Sequence, residues 1–143
     1  MILTKHPERT RLLIAVSSLF LFLSLTGFAS AATTRVEATG QAGYRGVLEL
    51  AASPLRTMQP TSFTLTLYDA AGQATTLPDP RCSLVMPAMP MPDNLPRVTR
   101  AGEHYAGEAV FTMAGAWQML VTLHRNGAVI DQLAFTLDRI LLK

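Results

Sequence analysis

"HYAGEAVFTMAGAWQMLVTLHRNGAVIDQLAFTLD", residues 104–138, decides the fold. Its apolar residues alternate, and do not recur at three and four, which is the period of a strand and not of a helix. Tyr105, Ala109, Phe111 and Met113 fall on one face of a first segment, and Trp117, Met119, Val121 and Leu123 on one face of a second. A third segment, residues 128–138, returns with Val129, Leu133, Phe135 and Leu137 in register. Between the last two stands Asn126-Gly127, the strongest short hairpin signal, because both residues tolerate positive φ. The "AGA" of residues 114–116 reads as another tight turn.

Outward from there the pattern repeats. "SFTLTLYD" (62–69) sets Phe63, Leu65 and Leu67 against Thr64, Thr66 and Tyr68, and "AAGQ" after it is a turn. "RGVLELAA" (45–52) is a further strand, "TRVEA" (34–38) a weaker one. "CSLVM" (82–86) is short and ends at Pro87, since proline cannot donate to a sheet ladder. Six prolines between Pro78 and Pro96 mark that stretch as extended and irregular. About seven short strands with regular turn signals and no helix predict an all-β chain, an immunoglobulin-like antiparallel β-sandwich. A parallel sheet would need crossover helices.

The chain's 143 residues suit one domain. Lys5, Arg9 and Arg11 precede an uninterrupted apolar run at 12–25, and small residues with Ala-x-Ala spacing follow at Ala29 and Ala31. The reading is an N-terminal hydrophobic signal peptide, residues 1–31, cleaved after Ala31. The alternative is an uncleaved anchor, which would be the chain's only membrane attachment. Residues 32–143 are then an exported, periplasmic domain. Removing Lys5, Arg9, Arg11 and Glu8 leaves nine Lys/Arg against nine Asp/Glu. The basic pI thus belongs to the leader, and nothing suggests a nucleic-acid partner. With one cysteine, Cys82, no internal disulfide can form.

Enzyme signatures are missing: no Gly-rich phosphate loop, no His-Glu-x-x-His, no Gly-x-Ser-x-Gly. Cys82 with His104 or His124 could in principle form a nucleophile pair, or Cys82 a redox thiol lowered by Arg81 or Arg97, but one thiol and two scattered histidines carry little signal. The expectation is a non-enzymatic protein. Chemistry concentrates instead in "CSLVMPAMPMPDN", residues 82–94. Met86, Met89 and Met91 offer three soft thioethers, and softness selects Cu(I). Held near polyproline II, Met86 and Met89 would lie about 9 Å apart along the axis and Met89 and Met91 about 6 Å. A shared ion therefore needs a bend. Cys82 lies on the strand face of Met86, and His104 is a further candidate ligand. The competing reading is packing: Cys82 and Met86 point into the core, and Met89 and Met91 pad its end. Met113, Met119 and Trp117 read as core by their strand parity, with Trp117 alternatively a cation–π partner over a cuprous ion.

The span from about Thr61 to Leu137 resembles the YtkA-like domain, a family related to the FixH proteins. The residues that carry the resemblance are "TSFTLTLYDAAGQ", "VMPAMPMP" and the pattern Gly102, Tyr105, Gly107, Phe111, Met113, Gly115, Trp117, Met119 and Val121. The resemblance implies a small exported immunoglobulin-like β-sandwich associated with copper handling or respiratory oxidase assembly. Met86, Met89 and Met91 match the family's methionine-rich position. No histidine stands beside them, which favours Cu(I) over Cu(II). A copper protein or a membrane oxidase assembly factor is the implied partner. The alternative is a metal-free periplasmic interaction module that docks on a membrane-complex partner through the proline-rich loop or an edge strand.

Overall fold

The computed structural model describes residues 30–143. The expected signal peptide, residues 1–31 with its apolar run at 12–25, lies outside the described residues apart from Ser30 and Ala31. The described chain is all-β, with ten strands in two sheets and no helix. The strands are β1 (Thr34–Thr39), β2 (Arg45–Leu50), β3 (Leu55–Arg56), β4 (Thr61–Tyr68), β5 (Ala74–Thr75), β6 (Asp79–Val85), β7 (Val98–Ala101), β8 (His104–Ala109), β9 (Gly115–Arg125) and β10 (Ala128–Leu141). One sheet runs β1-β2-β4-β8-β7, with β5 appended to β4; the other runs β3-β10-β9-β6. Every pairing is antiparallel except β3 with β10, where Leu55 and Arg56 lie parallel to Ile140 and Leu141.

The alternating residues become one core. Leu48, Leu50, Phe63, Leu65, Leu67, Tyr105 and Ala109 of the first sheet meet Leu84, Trp117, Met119, Val121, Leu123, Leu133, Phe135 and Leu137 of the second in a single buried cluster. Gly46 permits the close approach of the sheets. A Cβ there would stand 2.6 Å from Cζ of Phe135 and 2.9 Å from Cδ1 of Leu133. The Tyr105 hydroxyl donates to the carbonyl of Pro78, tying β8 to the chain entering β6. Desolvation raises its pKa; the Arg100 charge opposes this by less, and the Asp79 charge adds to it.

Several elements differ from the sequence reading. The strand at 104–113 stops at Ala109, so Phe111 is reached in a connection and Met113 leaves the core face. Val129 is 61% exposed, although its parity matches Leu133. A bulge between Val129 and Asp131 inserts Ile130 and breaks the register. Asp131 shares the inward parity of Leu133 and is buried, and its carboxylate accepts from the backbone N–H of Tyr44 at 3.2 Å and of Gln132 at 2.8 Å. The hairpin at Asn126-Gly127 has both residues at positive φ, 52° and 78°, as its sequence requires.

Candidate functional site

The Met loop leaves β6 with a turn. Met86 directly follows the strand, and the backbone N–H of Met89 donates to the Met86 carbonyl at 3.2 Å. Pro87 stands at the second position of this turn, where its fixed φ is at home. The run is therefore not straight polyproline II at its start. The turn draws the Met86 and Met89 Cα atoms to within about 7 Å. Beyond it the chain folds back beside β6, because the Asn94 carbonyl accepts from the N–H of Leu84 at 2.8 Å. The Asn94 side chain donates to the Val110 carbonyl at 2.9 Å, fastening the loop to the β8–β9 connection.

The side chains do not share one environment. Met86 is buried, continuing the inward face of Cys82 and Leu84, and its Cε lies 3.1 Å from where a Gly115 Cβ would stand. Met89 is 46% exposed. Met91 is partly buried against the core and lines a cleft with Asn94, Val110 and Thr112. Packing thus accounts for Met86 and in part for Met91, and not for the exposed Met89.

Cys82 and His104 are not brought to this loop. Cys82 pairs with Val121 in mid-strand, four residues and ~13 Å of strand before Met86. It is buried, and desolvation pushes its pKa from the ordinary 9.0 up to about 12. The thiol is therefore held neutral, the opposite of what a redox nucleophile needs. His104 begins β8, whereas the loop adjoins the far end of that strand; five residues, or ~17 Å, separate it from Ala109. It stands half-buried at the register of Ala101. Among the described residues no group of three or more His, Cys, Asp or Glu is placed to hold a metal ion. A metal reading therefore rests on thioethers.

Two further methionines lie in or against the β8–β9 connection. Met113, expected in the core, is 37% exposed in the β8–β9 connection. Its carbonyl accepts from Trp117 Nε1 at 2.9 Å. Met58, which periodicity does not single out because it lies between strands, is 60% exposed. Its N–H donates to the Phe111 carbonyl at 2.8 Å. Met119 is fully buried, as its parity predicts. Trp117 is fully buried too, edge-on to Phe111 with ring centroids 5.5 Å apart. It is a core residue, with no face open to a cation.

Compared with models of known protein families and with curated proteins, the sequence finds no match.

Proposed function

We propose that this chain is an exported, non-enzymatic protein of the YtkA-like kind, an immunoglobulin-like β-sandwich that binds Cu(I) through its Met loop for copper handling or respiratory oxidase assembly. The observation that carries the reading is the turn at Met86–Met89. It supplies the bend that an extended run would lack, and it brings the backbone of the exposed Met89 close to that of Met86. Thioethers bind Cu(I) as neutral soft donors, so the site needs no deprotonation and works without Cys82. The residues assigned to the metal are Met89 and Met91, with Met86 reachable by rotation of its flexible side chain.

Titration of the protein with Cu(I) against a competing chelator tests this. A variant carrying Met86→Leu, Met89→Leu and Met91→Leu keeps side-chain volume and is expected to lose the competition. Equal affinity of variant and wild type would remove the assignment.

A second reading, a metal-free docking module, is favoured by one feature. Leu95, in the same connection, is 66% exposed close to Met89 in sequence, giving the loop an apolar surface without any metal. On that reading a membrane-complex partner covers the loop, and the triple Leu variant binds it as well as the wild type does.

A further inference from the structure

Five of the six methionines among the described residues lie in or beside connections that meet at one end of the two sheets. β4 begins at Thr61 opposite Ala109, the last residue of β8. β9 begins at Gly115 opposite Ile140, and β6 ends with Val85 opposite Gln118. The segments 57–60, 86–97 and 110–114 therefore leave the sheets at the same end. Hydrogen bonds join them there: Met58 to Phe111 and Asn94 to Val110. The segment 110–114 is the hub: Met58 bonds to it at Phe111, and Met91 lines a cleft with Val110 and Thr112.

Core packing does not explain the outer members. Met58, Met89 and Met113 are 60%, 46% and 37% exposed, and they make up three of the seven large exposed apolar side chains among the described residues. Met58 also holds a left-handed backbone, φ 56°, a conformation that ordinarily selects glycine or asparagine. The property that separates these exposed methionines from leucine is the polarizable sulfur.

We propose that Met58 and Met113 belong to the Cu(I) site together with Met89 and Met91, so that the metal is held at the meeting point of three connections and not by the proline-rich loop alone. This rests on the copper reading above and extends it to residues outside the loop. A site drawn from three connections has a further consequence: copper would cross-link β3–β4, β6–β7 and β8–β9.

Methionine methyl NMR decides it. The full chain, labelled with 13C at methionine Cε, is titrated anaerobically with Cu(I), and resonances are assigned by single Met→Leu variants. The methyl groups of Met58, Met89, Met91 and Met113 are expected to shift together and saturate at one equivalent, while Met119 in the core stays put. A Met58→Leu/Met113→Leu variant is expected to bind Cu(I) at least about tenfold more weakly. Shifts confined to Met86, Met89 and Met91, with that variant binding like wild type, would overturn this inference and leave the copper reading standing. No shift at any methyl would overturn both. Should the double variant fail to fold, the wild-type titration alone still separates these outcomes.

Discussion

Met86 and Met89 show how far three residues can carry two methionines apart. The first is 8% exposed and continues the inward row of Cys82 and Leu84; the second is 46% exposed across a turn. Met86→Ala is therefore expected to destabilise the fold by about 2–5 kcal/mol. Met89→Ala is expected to stay within about 0.5 kcal/mol. Urea unfolding measures both, and comparable losses would mean that the turn does not separate the two side chains. Cys82 makes the complementary case. Burial raises its pKa from 9.0 to about 12, so the neutral thiol contributes stability that is fully present below pH 9.0 and is lost as pH rises toward 12. The stability difference between wild type and Cys82→Ala should shrink across that window, and iodoacetamide at neutral pH should label the native thiol far more slowly than the urea-unfolded one. Native labelling at the unfolded rate would restore the reactive-thiol reading.

At the level of elements, two glycines do different work, and substituting each by alanine separates space from backbone strain. Gly46 sits where the sheets touch, and an added Cβ would press on the buried Phe135 ring and on Leu133. Overpacking there is expected to cost about 1–3 kcal/mol. Gly127 has open space around its Cβ position but φ 78°, so Gly127→Ala is expected to cost about 1–2 kcal/mol through the left-handed backbone alone. A core variant that relieves the crowding, Phe135→Leu, should rescue Gly46→Ala and leave Gly127→Ala unchanged, which denaturation midpoints will show. The hairpin at Asn126-Gly127 was legible because turn chemistry and alternation agree on both sides of it. The strand ends were not legible. Alternation continues through Phe111 to Met113, yet ladder pairing stops at Ala109, and parity cannot register where a strand loses its partner. The bulge at Ile130 defeats parity in the same way, turning Val129 outward while Asp131 keeps the inward parity of Leu133. β3, β5 and β7 are too short to show any period.

For the whole molecule, the sequence pointed to the loop but not to its surroundings. Met86, Met89 and Met91 stand out because they are close in the chain, whereas Met58 and Met113 are far from them in sequence and come to the same end of the sheets only through the topology. Proline was ambiguous at the decisive place, since its fixed φ fits both polyproline II and the second position of a turn. That same topology makes copper a folding ligand if the site draws on separate connections. Binding to the native state alone at a free concentration 100-fold above Kd adds about 2.7 kcal/mol, which for a domain of this size raises Tm by on the order of 10 °C. The unfolded chain complicates the comparison, because unfolding exposes Cys82, whose thiol is itself a soft Cu(I) ligand. Metal captured there lowers the net stabilisation. The shift is thus expected to be larger for Cys82→Ala than for wild type, each measured against its own metal-free form by anaerobic thermal melts with buffered Cu(I). In the same background Met89→Leu/Met91→Leu should show little shift. An equal rise in that variant would place the stabilising metal elsewhere, and a smaller rise in Cys82→Ala than in wild type would make the buried thiol a native ligand after all.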